Sequence, residues 1–451
     1  MADFFSAMSA IAIINLGCPK NEVDAEKIAW LLQAAGFHLI DEAARAEIII
    51  VNTCAFIQPA VEEAIEVILE NAAYKASGSC RRLIVCGCLP QRYGAELLAE
   101  IPEIDFMFGS ADFFRIAEVL RLDTEQMPAS PLHLSAAPDY GPCQDIPQLL
   151  GPPAGSAYLK LSEGCNNNCS YCMIPRIKGK LQSVPLDRLL SQASRLTEAG
   201  AVELNLIAQD ITVYGLDLYG RTRLPELLIK LCRNPALQRL RLLYAYPARV
   251  DRELISLIRD EEKICNYLDL PIQHISRKIL KAMGRPDDPE NLRRTLDQLK
   301  SGNPELYLRS TVIVGFPGEE EKHFRELLDL VAEGFFDYLG VFPYWPEAGS
   351  RAAGFADQVE DAVKQERRER IIETQQMLTR KRLRREIGCR HRLLIAGLSR
   401  ETELLLEGRT AFQAPDIDGL TYITEGQAEA GRLVEAEIID AHDIDLFARI
   451  V

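Results

Sequence analysis

The feature that most restricts the fold of this chain is a regular alternation of short apolar segments with helical segments. Residues 11 to about 125 carry the apolar runs "IAIINLG", "EIIIVNTC" and "RLIVCGC", separated by helical stretches such as "AVEEAIEVILENA". Short apolar strands that are each followed by an amphipathic helix indicate a parallel sheet covered on both faces. The sequence therefore predicts an α/β protein that begins with a doubly wound parallel sheet, in a domain spanning residues 1–127.

The alternation resumes after a segment that is rich in proline. Residues 128–155 contain seven prolines and show no hydrophobic period, so we predict a linker there. Six strand and helix units follow over residues 156–359, among them "AYLKLSEG", "VELNLIAQD" and "YLRSTVIVGFP". Six such units fit an open (β/α) barrel, in which the chemistry lies in the loops after the strands.

The sequence pattern changes twice after residue 359. Residues 360–385 form a charge-rich run that predicts a solvated linking helix. Residues 386–451 then contain short strands such as "HRLLIAGL" and "GLTYIT", which predict a small antiparallel β-barrel. The sequence shows no apolar run of membrane-spanning length and no basic residue in its first ten positions, so we expect a cytoplasmic protein without membrane contact.

Three of the twelve cysteines lie together in the stretch "EGCNNNCSYC", directly after the first strand of the predicted barrel. Cys165, Cys169 and Cys172 can bind three irons of a cubane cluster and leave the fourth iron with an open coordination position. A closed zinc site usually takes four protein ligands, and neither a CxxC nor a Cys/His pair follows nearby. The motif therefore predicts a catalytic iron–sulfur cluster, with structural zinc as the alternative.

A second set of cysteines is spread along the first domain. Cys18, Cys54 and Cys88 each follow a predicted parallel strand, and loops at the carboxyl ends of such strands converge on one crevice. We therefore predict a second three-cysteine cluster there. Cys86 is either a core residue or an alternative to Cys88. The other cysteines are predicted to be small apolar core residues, namely Cys80, Cys143, Cys232, Cys265 and Cys389.

The CxxxCxxC motif, with the aromatic Tyr171 before its last cysteine, resembles the radical S-adenosylmethionine superfamily. The two cysteine sets, the barrel and the terminal β-module together resemble the methylthiotransferases, in which that module is called TRAM. The resemblance implies two [4Fe-4S] clusters and S-adenosylmethionine. It assigns the cleavage of S-adenosylmethionine to the cluster on Cys165, Cys169 and Cys172. An auxiliary cluster on Cys18, Cys54 and Cys88 would carry the sulfur, and a flavodoxin or ferredoxin would donate electrons.

The resemblance also suggests contacts to S-adenosylmethionine. Tyr171 lies in the motif, while Gln209 in "LIAQD" and Gly315 in "VIVGFPG" lie at predicted strand ends where the cofactor must pass. His274, also at a strand end, is expected to be structural. The segment "IPRIKGKLQSVP" has Lys178 and Val184 where family members commonly place arginine; lysine keeps the charge but lacks the planar donor fork.

The substrate is indicated by the first cysteine motif and by charge. The residues "LGCPKN" around Cys18 resemble the branch that modifies a ribosomal protein, which implies a methylthio group on the β-carbon of an aspartate in the twelfth small-subunit protein. Residues 386–451 carry six Lys and Arg against thirteen Asp and Glu, and the whole chain has a net charge of −15. An acidic surface suits a basic protein partner better than nucleic acid, so we predict no direct nucleic-acid binding.

Two alternatives remain at this point. One is a transfer-RNA methylthiotransferase acting on an adenosine next to the anticodon, and the other is a zinc-bound RNA adaptor. For the protein-modifying enzyme, we expect that deletion of residues 386–451 weakens substrate binding and spares cofactor cleavage.

Overall fold

The computed structural model describes residues 9–122, 130–151, 155–399, 401–402 and 404–451. Its strands are β1 Ala10–Asn15, β2 His38–Leu39, β3 Ile48–Thr53, β4 Arg82–Gly87, β5 Phe106–Gly109, β6 Leu132–His133, β7 Ser156–Lys160, β8 Ser162–Glu163, β9 Gln182–Ser183, β10 Glu203–Ile207, β11 Arg239–Leu242, β12 Ile264–Asp269, β13 Tyr307–Val314, β14 Tyr338–Pro343, β15 Arg390–Leu398, β16 Leu406–Arg409, β17 Thr421–Glu425, β18 Leu433–His442 and β19 Asp445–Ile450. Its α-helices are α1 Pro19–Ala34, α2 Gln58–Ala72, α3 Tyr74–Ser77, α4 Cys88–Glu100, α5 Ile116–Leu120, α6 Gly141–Gln144, α7 Ile174–Ile177, α8 Leu186–Glu198, α9 Leu216–Tyr219, α10 Leu224–Cys232, α11 Arg252–Asp260, α12 Arg277–Ala282, α13 Pro289–Gly302, α14 Glu321–Ala332 and α15 Asp361–Leu383.

The chain divides into two compact units, and the first comprises residues 1–150, 162–167 and 172–184. Its six parallel strands have the order β2-β1-β3-β4-β5-β6. All six residues of β3 are buried, because helices cover both faces of the sheet. The core on one face includes side chains of α2 and α4, and the core on the other includes side chains of α1 and α5. The predicted doubly wound sheet is confirmed.

The proline-rich segment that was predicted as a linker is folded into this first unit over its described residues 130–150. Strand β6 pairs in parallel with β5 and becomes the edge of the sheet. Tyr140, Cys143 and Ile146 are buried, and the last two join the core on the α1 face. Apolar side chains at these positions thus bury against the sheet although the prolines remove any periodic signal.

The second unit comprises residues 151–161, 168–171 and 185–451. Six parallel strands in the order β14-β13-β12-β11-β10-β7 follow the sequence order of the strand and helix units, as in an open (β/α) barrel. Asp251 and Asp288 accept backbone N–H groups at the starts of α11 and α13, which fixes where those helices begin. The predicted barrel is confirmed.

Helix α15 differs from the predicted solvated helix, because one of its faces is buried. Lys364, Arg367, Ile371 and Gln375 recur at helical spacing along that face. The polar members are accommodated by hydrogen bonds; the Gln375 amide, for example, donates to the Phe336 carbonyl at 2.9 Å. A helix with so few apolar residues can therefore pack against the (β/α) barrel.

The terminal module is a closed barrel in the order β15-β16-β17-β19-β18, antiparallel except for the parallel pair β17 and β19. Its segment 410–418 lies against residues near the amino ends of several strands of the (β/α) barrel. Phe412 stacks on Tyr307 with ring centroids 4.0 Å apart, and the Tyr267 hydroxyl donates to Asp418 at 2.8 Å. The terminal module thus covers the end of the (β/α) barrel opposite the loops that follow its strands. Among the described residues, no helix is both long and apolar enough to span a bilayer.

Candidate active site

Three cysteines of the first unit lie at the carboxyl ends of neighbouring strands. Strand β3 pairs with both β1 and β4, and Cys18, Cys54 and Cys88 follow these three strands. Burial raises the pKa of the Cys54 thiol, and the nearby Cys18 adds to the shift. Burial also raises the pKa of Cys88 to about 12, against the charge of Lys178. The three thiols are therefore close enough to influence one another electrostatically.

Side-chain hydrogen bonds tie these cysteine loops together. The Asn21 amide donates to the carbonyl of Leu16 at 2.8 Å and to the carbonyl of Thr53 at 3.0 Å. The Thr53 hydroxyl in turn donates to the Cys86 carbonyl at 2.7 Å. The loops that carry Cys18 and Cys54 are thus joined to the end of β4, which leads into Cys88.

Two glycines allow the loops to approach so closely. Gly17 and Gly87 immediately precede Cys18 and Cys88 and have φ values of +98° and +99°. A Cβ on Gly17 would lie 2.6 Å from the Cβ of Cys54, and one on Gly87 would lie 2.7 Å from the Thr53 carbonyl oxygen. Only glycine combines these backbone angles with so little space.

The other cysteines mostly follow the predicted core role. Cys86 is fully buried on the opposite face of the sheet from Cys88, with its Sγ 3.6 Å from the Asn52 side-chain oxygen. Cys80, Cys143, Cys232 and Cys265 are buried as well. The prediction is wrong for Cys389, which is exposed in the connection between α15 and β15.

The loop with the CxxxCxxC motif contributes Cys165 and Cys172 to the first unit. The Cys165 N–H donates to the Gly179 carbonyl at 3.1 Å. Backbone N–H groups of Asn167 and Ile174 each donate to a cysteine sulfur at 3.4 Å, to Cys165 and Cys172 respectively. Donors of this kind stabilise the negative charge that a thiolate carries as an iron ligand.

Cys169 belongs to the second unit, together with its neighbours up to Tyr171. Ser170 anchors this stretch, since its N–H donates to the Met283 carbonyl and its hydroxyl to the Ala282 carbonyl, both at 2.8 Å. Arg285 is buried nearby; burial opposes its positive charge, but electrostatic partners, with Tyr171 first and Cys169 among them, outweigh burial and raise its pKa. Its guanidinium lies 4.2 Å from the ring centre of Tyr246.

Among the described residues, no group of three or more His, Cys, Asp and Glu side chains is arranged to hold a single metal ion. A cubane cluster does not require such a group. Each of its thiolates binds a different iron, so the sulfurs stand farther apart than the ligands of a mononuclear site.

Three family models match consecutive parts of the chain. The family described as Uncharacterized protein family UPF0004 matches residues 10–109, the Radical SAM superfamily matches residues 159–331, and the TRAM domain matches residues 387–451. The first match contains Cys18, Cys54 and Cys88, and the second contains the CxxxCxxC motif. The two cysteine sets therefore belong to two different family regions.

Two relatives that match over nearly the whole chain share one name. The ribosomal protein uS12 methylthiotransferase RimO of Geotalea uraniireducens is 45% identical over 446 residues, which cover 99% of both chains. The protein of the same name from Geobacter sulfurreducens is 45% identical over 448 residues, again with 99% of both chains covered. This chain belongs to the RimO family. The predicted radical S-adenosylmethionine methylthiotransferase class is thereby confirmed.

A solved structure shows the same fold without close sequence similarity. The radical S-adenosylmethionine methyltransferase TsrM from Kitasatospora setae matches with a TM-score of 0.55 and 15% identity, over 74% of this chain and 73% of that one. Membership of the RimO family and the Radical SAM match imply an iron–sulfur cluster and S-adenosylmethionine as cofactors.

The predicted cofactor contacts of this RimO family member lie after strands of the (β/α) barrel. Tyr171 is half-buried and meets Phe316 edge to face, with ring centroids 6.4 Å apart. Gly315, next to Phe316, has a φ of +69°, and its N–H donates to Glu319 Oε1 at 3.0 Å. Gln209 is half-buried just beyond β10. Their contacts with S-adenosylmethionine stay a prediction.

His274 is held as a structural residue of the same unit. Its Nδ1 accepts the N–H groups of Ile275 and Ser276, both at 2.9 Å, and its Nε2 lies 3.3 Å from Glu319 Oε2. A histidine that accepts at Nδ1 carries its proton on Nε2.

Sequence reasoning missed the buried cation Arg285 as a candidate site residue, and it noted Lys178 only for its charge. Neither lies in a spacing pattern that indicates chemistry. The signal available for Lys178 was its place in the glycine-containing segment after the cysteines, where the family commonly has arginine.

Proposed function

We propose that this chain attaches a methylthio group to the β-carbon of an aspartate in ribosomal protein uS12, the twelfth protein of the small subunit. The observation that carries the proposal is the identity of 45% to RimO proteins over 99% of both chains. A relative that matched only the (β/α) barrel would support the radical chemistry and leave the substrate open. Here the match includes all three family regions.

The donor sets fit two iron–sulfur clusters. Cys18, Cys54 and Cys88 offer three neighbouring thiols on loops that glycine lets approach closely, and thiolates are the usual protein ligands of such clusters. Cys165, Cys169 and Cys172 offer three more within eight positions. When bound, the clusters and S-adenosylmethionine supply the sulfur, the methyl group and the one-electron chemistry. The protein supplies binding, orientation and the exclusion of water.

Three residues of the second unit suit S-adenosylmethionine. Tyr171 offers an aromatic ring for the adenine, while Gln209 and Gly315 lie after barrel strands, where ligands bind in this fold. We propose these three as cofactor contacts.

We further propose that the reaction takes place in the cytoplasm, with electrons from a flavodoxin or ferredoxin.

The test is anaerobic turnover of the reconstituted chain with S-adenosylmethionine, sulfide and a reductant. Ribosomes and bulk transfer RNA are offered in the same reaction, and both are then analysed by mass spectrometry. We expect a methylthio group on uS12 and none on transfer RNA. The matched control is Cys80→Ser, which removes a buried cysteine outside both sets.

The result that contradicts the proposal is methylthio-adenosine in transfer RNA with uS12 unmodified. A colourless, zinc-containing protein without acid-labile sulfide would contradict the enzyme itself. With Cys80→Ser, uS12 should be modified as in the unchanged protein.

A further inference from the structure

Lys178 is a buried ammonium in the first unit, and its chain neighbour Ile177 packs in the same apolar core as Cys88. Its side chain is 4% exposed, and its Nζ lies 5.6 Å from the ring centre of Tyr140. The Tyr140 hydroxyl is 2.8 Å from that of Ser110. The backbone N–H of Lys178 donates to the Ile174 carbonyl at 2.7 Å, which fixes the residue at the end of α7.

Two buried carboxylates accompany this ammonium at more than hydrogen-bond length. Nζ lies 3.7 Å from Asp24 Oδ2 and 3.6 Å from Glu163 Oε1. An N–H···O bond has a donor–acceptor distance of 2.7–3.2 Å, so neither ion pair uses an ammonium donor at that length. Lysine has three such donors. The group can therefore donate to a further anionic acceptor without losing its two counter-ions.

The electrostatic partners of Lys178 include Cys54 and Cys88 of the cysteine set. Its charge lowers the thiol pKa of Cys54, Cys86 and Cys88 against the larger effect of burial. Burial opposes the charged ammonium itself, but Glu163, Tyr140, Cys88 and Asp24 outweigh burial and raise the pKa of Lys178. Lys178 is therefore a fixed positive charge that has two buried carboxylates near it, in the unit whose three cysteines would become thiolates as iron ligands.

We propose that Lys178 is the charge-balancing residue of the auxiliary cluster and that it favours an anionic sulfur ligand, hydrosulfide, at the open iron. This inference rests on the proposed function, because it requires a cluster on Cys18, Cys54 and Cys88. Lys178 acts through charge and donates no group to the reaction, which makes it a positioning residue. Net charge and hydrogen bonding near the sulfurs are what set the potential of such clusters.

The experiment uses the full chain with Cys165, Cys169 and Cys172 replaced by alanine, so that only the auxiliary cluster can form. Iron content is measured first. If this protein binds no iron, the cluster assignment fails and the proposed function fails with it. If iron is present, the midpoint potential and the hydrosulfide affinity are measured by electron paramagnetic resonance during redox and sulfide titrations.

Three changes at the site have distinct expected results. Lys178→Gln should weaken hydrosulfide binding about tenfold, because a nearby opposite charge shifts such equilibria by one to three powers of ten. The same tenfold effect on the equilibrium constant of a one-electron reduction corresponds to a fall of ~59 mV in the midpoint potential. Lys178→Arg keeps the charge and should retain both values. Glu163→Gln removes a negative charge and should shift the potential upward.

The control is Lys27→Met, which removes another buried ammonium of the same unit, one that donates to the Cys143 carbonyl at 2.9 Å. It should leave the potential and the affinity unchanged. Opposite shifts for Lys178→Gln and Glu163→Gln cannot come from a general loosening of the fold. Equal potentials and hydrosulfide affinities in Lys178→Gln, Lys178→Arg and the unchanged site would overturn the proposal. If Lys178→Gln does not hold iron, loss of the upward shift in Glu163→Gln would overturn it.

Discussion

Replacing Glu203 by glutamine tests whether the two barrels of the second unit are joined through a buried ion network. The Glu203 side chain is 0% exposed, and it accepts hydrogen bonds from Arg241 at 3.1 Å and from Arg409 of the terminal barrel at 2.8 Å. Burial opposes its ionisation, yet these guanidiniums hold the pKa of Glu203 well below its usual range. The carboxylate is therefore charged at neutral pH, and its charge compensates buried arginines.

The expected cost follows from what the substitution leaves behind. Arg241 is also 0% exposed, so removing the carboxylate charge leaves a buried guanidinium without its negatively charged partner. Breaking a buried pair in this way costs about 3–5 kcal/mol. We expect Glu203→Gln to lower the free energy of unfolding by that amount in urea denaturation at pH 7.5, and to speed hydrogen exchange at β17 of the terminal barrel.

Glu333→Gln is the matched control. Glu333 accepts two bonds from Arg293 at 2.7 Å, but that pair is 40% and 41% exposed. An exposed pair contributes about 0–1 kcal/mol. If Glu203→Gln is no more destabilising than Glu333→Gln, the network does not hold the two barrels together.

Three further predictions concern the first unit and the division of labour between the cysteine sets. Cys169→Ser should stop formation of deoxyadenosine and leave the auxiliary iron in place. Cys54→Ser should still cleave S-adenosylmethionine but transfer no methylthio group. Full activity of either variant contradicts the assignment. Gly87→Ala should reduce the iron content of the auxiliary cluster. Strained backbone of this kind costs about 1–3 kcal/mol, and the new Cβ would clash with the Thr53 carbonyl oxygen. The control Gly354→Ala, whose new Cβ meets open space, should keep its iron. Burial raises the pKa of Glu26 to about 7, so the folded state binds the proton more tightly and stability falls as pH rises from 4.5 through 7. Glu26→Gln should therefore stabilise the protein by roughly 1–3 kcal/mol at pH 8 and have no such effect at pH 4.5, as measured by denaturation at both pH values.

The ion network also changes what deletion of the terminal module can show. The sequence led us to expect that removing residues 386–451 weakens substrate binding alone. That deletion would also remove Arg409 from Glu203 and Asp418 from Tyr267, and uncover the amino end of the (β/α) barrel. We now expect the truncated chain to be destabilised as well, so that exposed residues of the module are better targets for binding tests.

Much of the fold could be predicted because its elements carry local signals. The buried run Ile48–Val51 indicates a covered parallel strand on its own, and a cysteine directly after such a strand must lie at the carboxyl edge of the sheet. The convergence of Cys18, Cys54 and Cys88 needs only this rule and the strand order.

The features that escaped prediction depend on tertiary contacts. Helix α15 buries Arg367 because Glu319, which is distant in sequence, accepts its guanidinium at 2.8 Å. Strand β6 is only two residues long and gains its place from pairing with β5. Lys178 is buried because residues from three separate segments surround it, namely Asp24, Tyr140 and Glu163. A local pattern contains none of this information.

The most direct test of the central claim is anaerobic turnover with ribosomes whose uS12 carries aspartate deuterated at the β-carbon. Tandem mass spectrometry of uS12 locates the new group, and the deoxyadenosine is analysed for deuterium. We predict a methylthio group at one aspartate β-carbon, loss of one deuterium from that carbon and its appearance in deoxyadenosine. A uS12 that keeps all its deuterium and gains no methylthio group, while the reconstituted chain cleaves S-adenosylmethionine, would contradict the account.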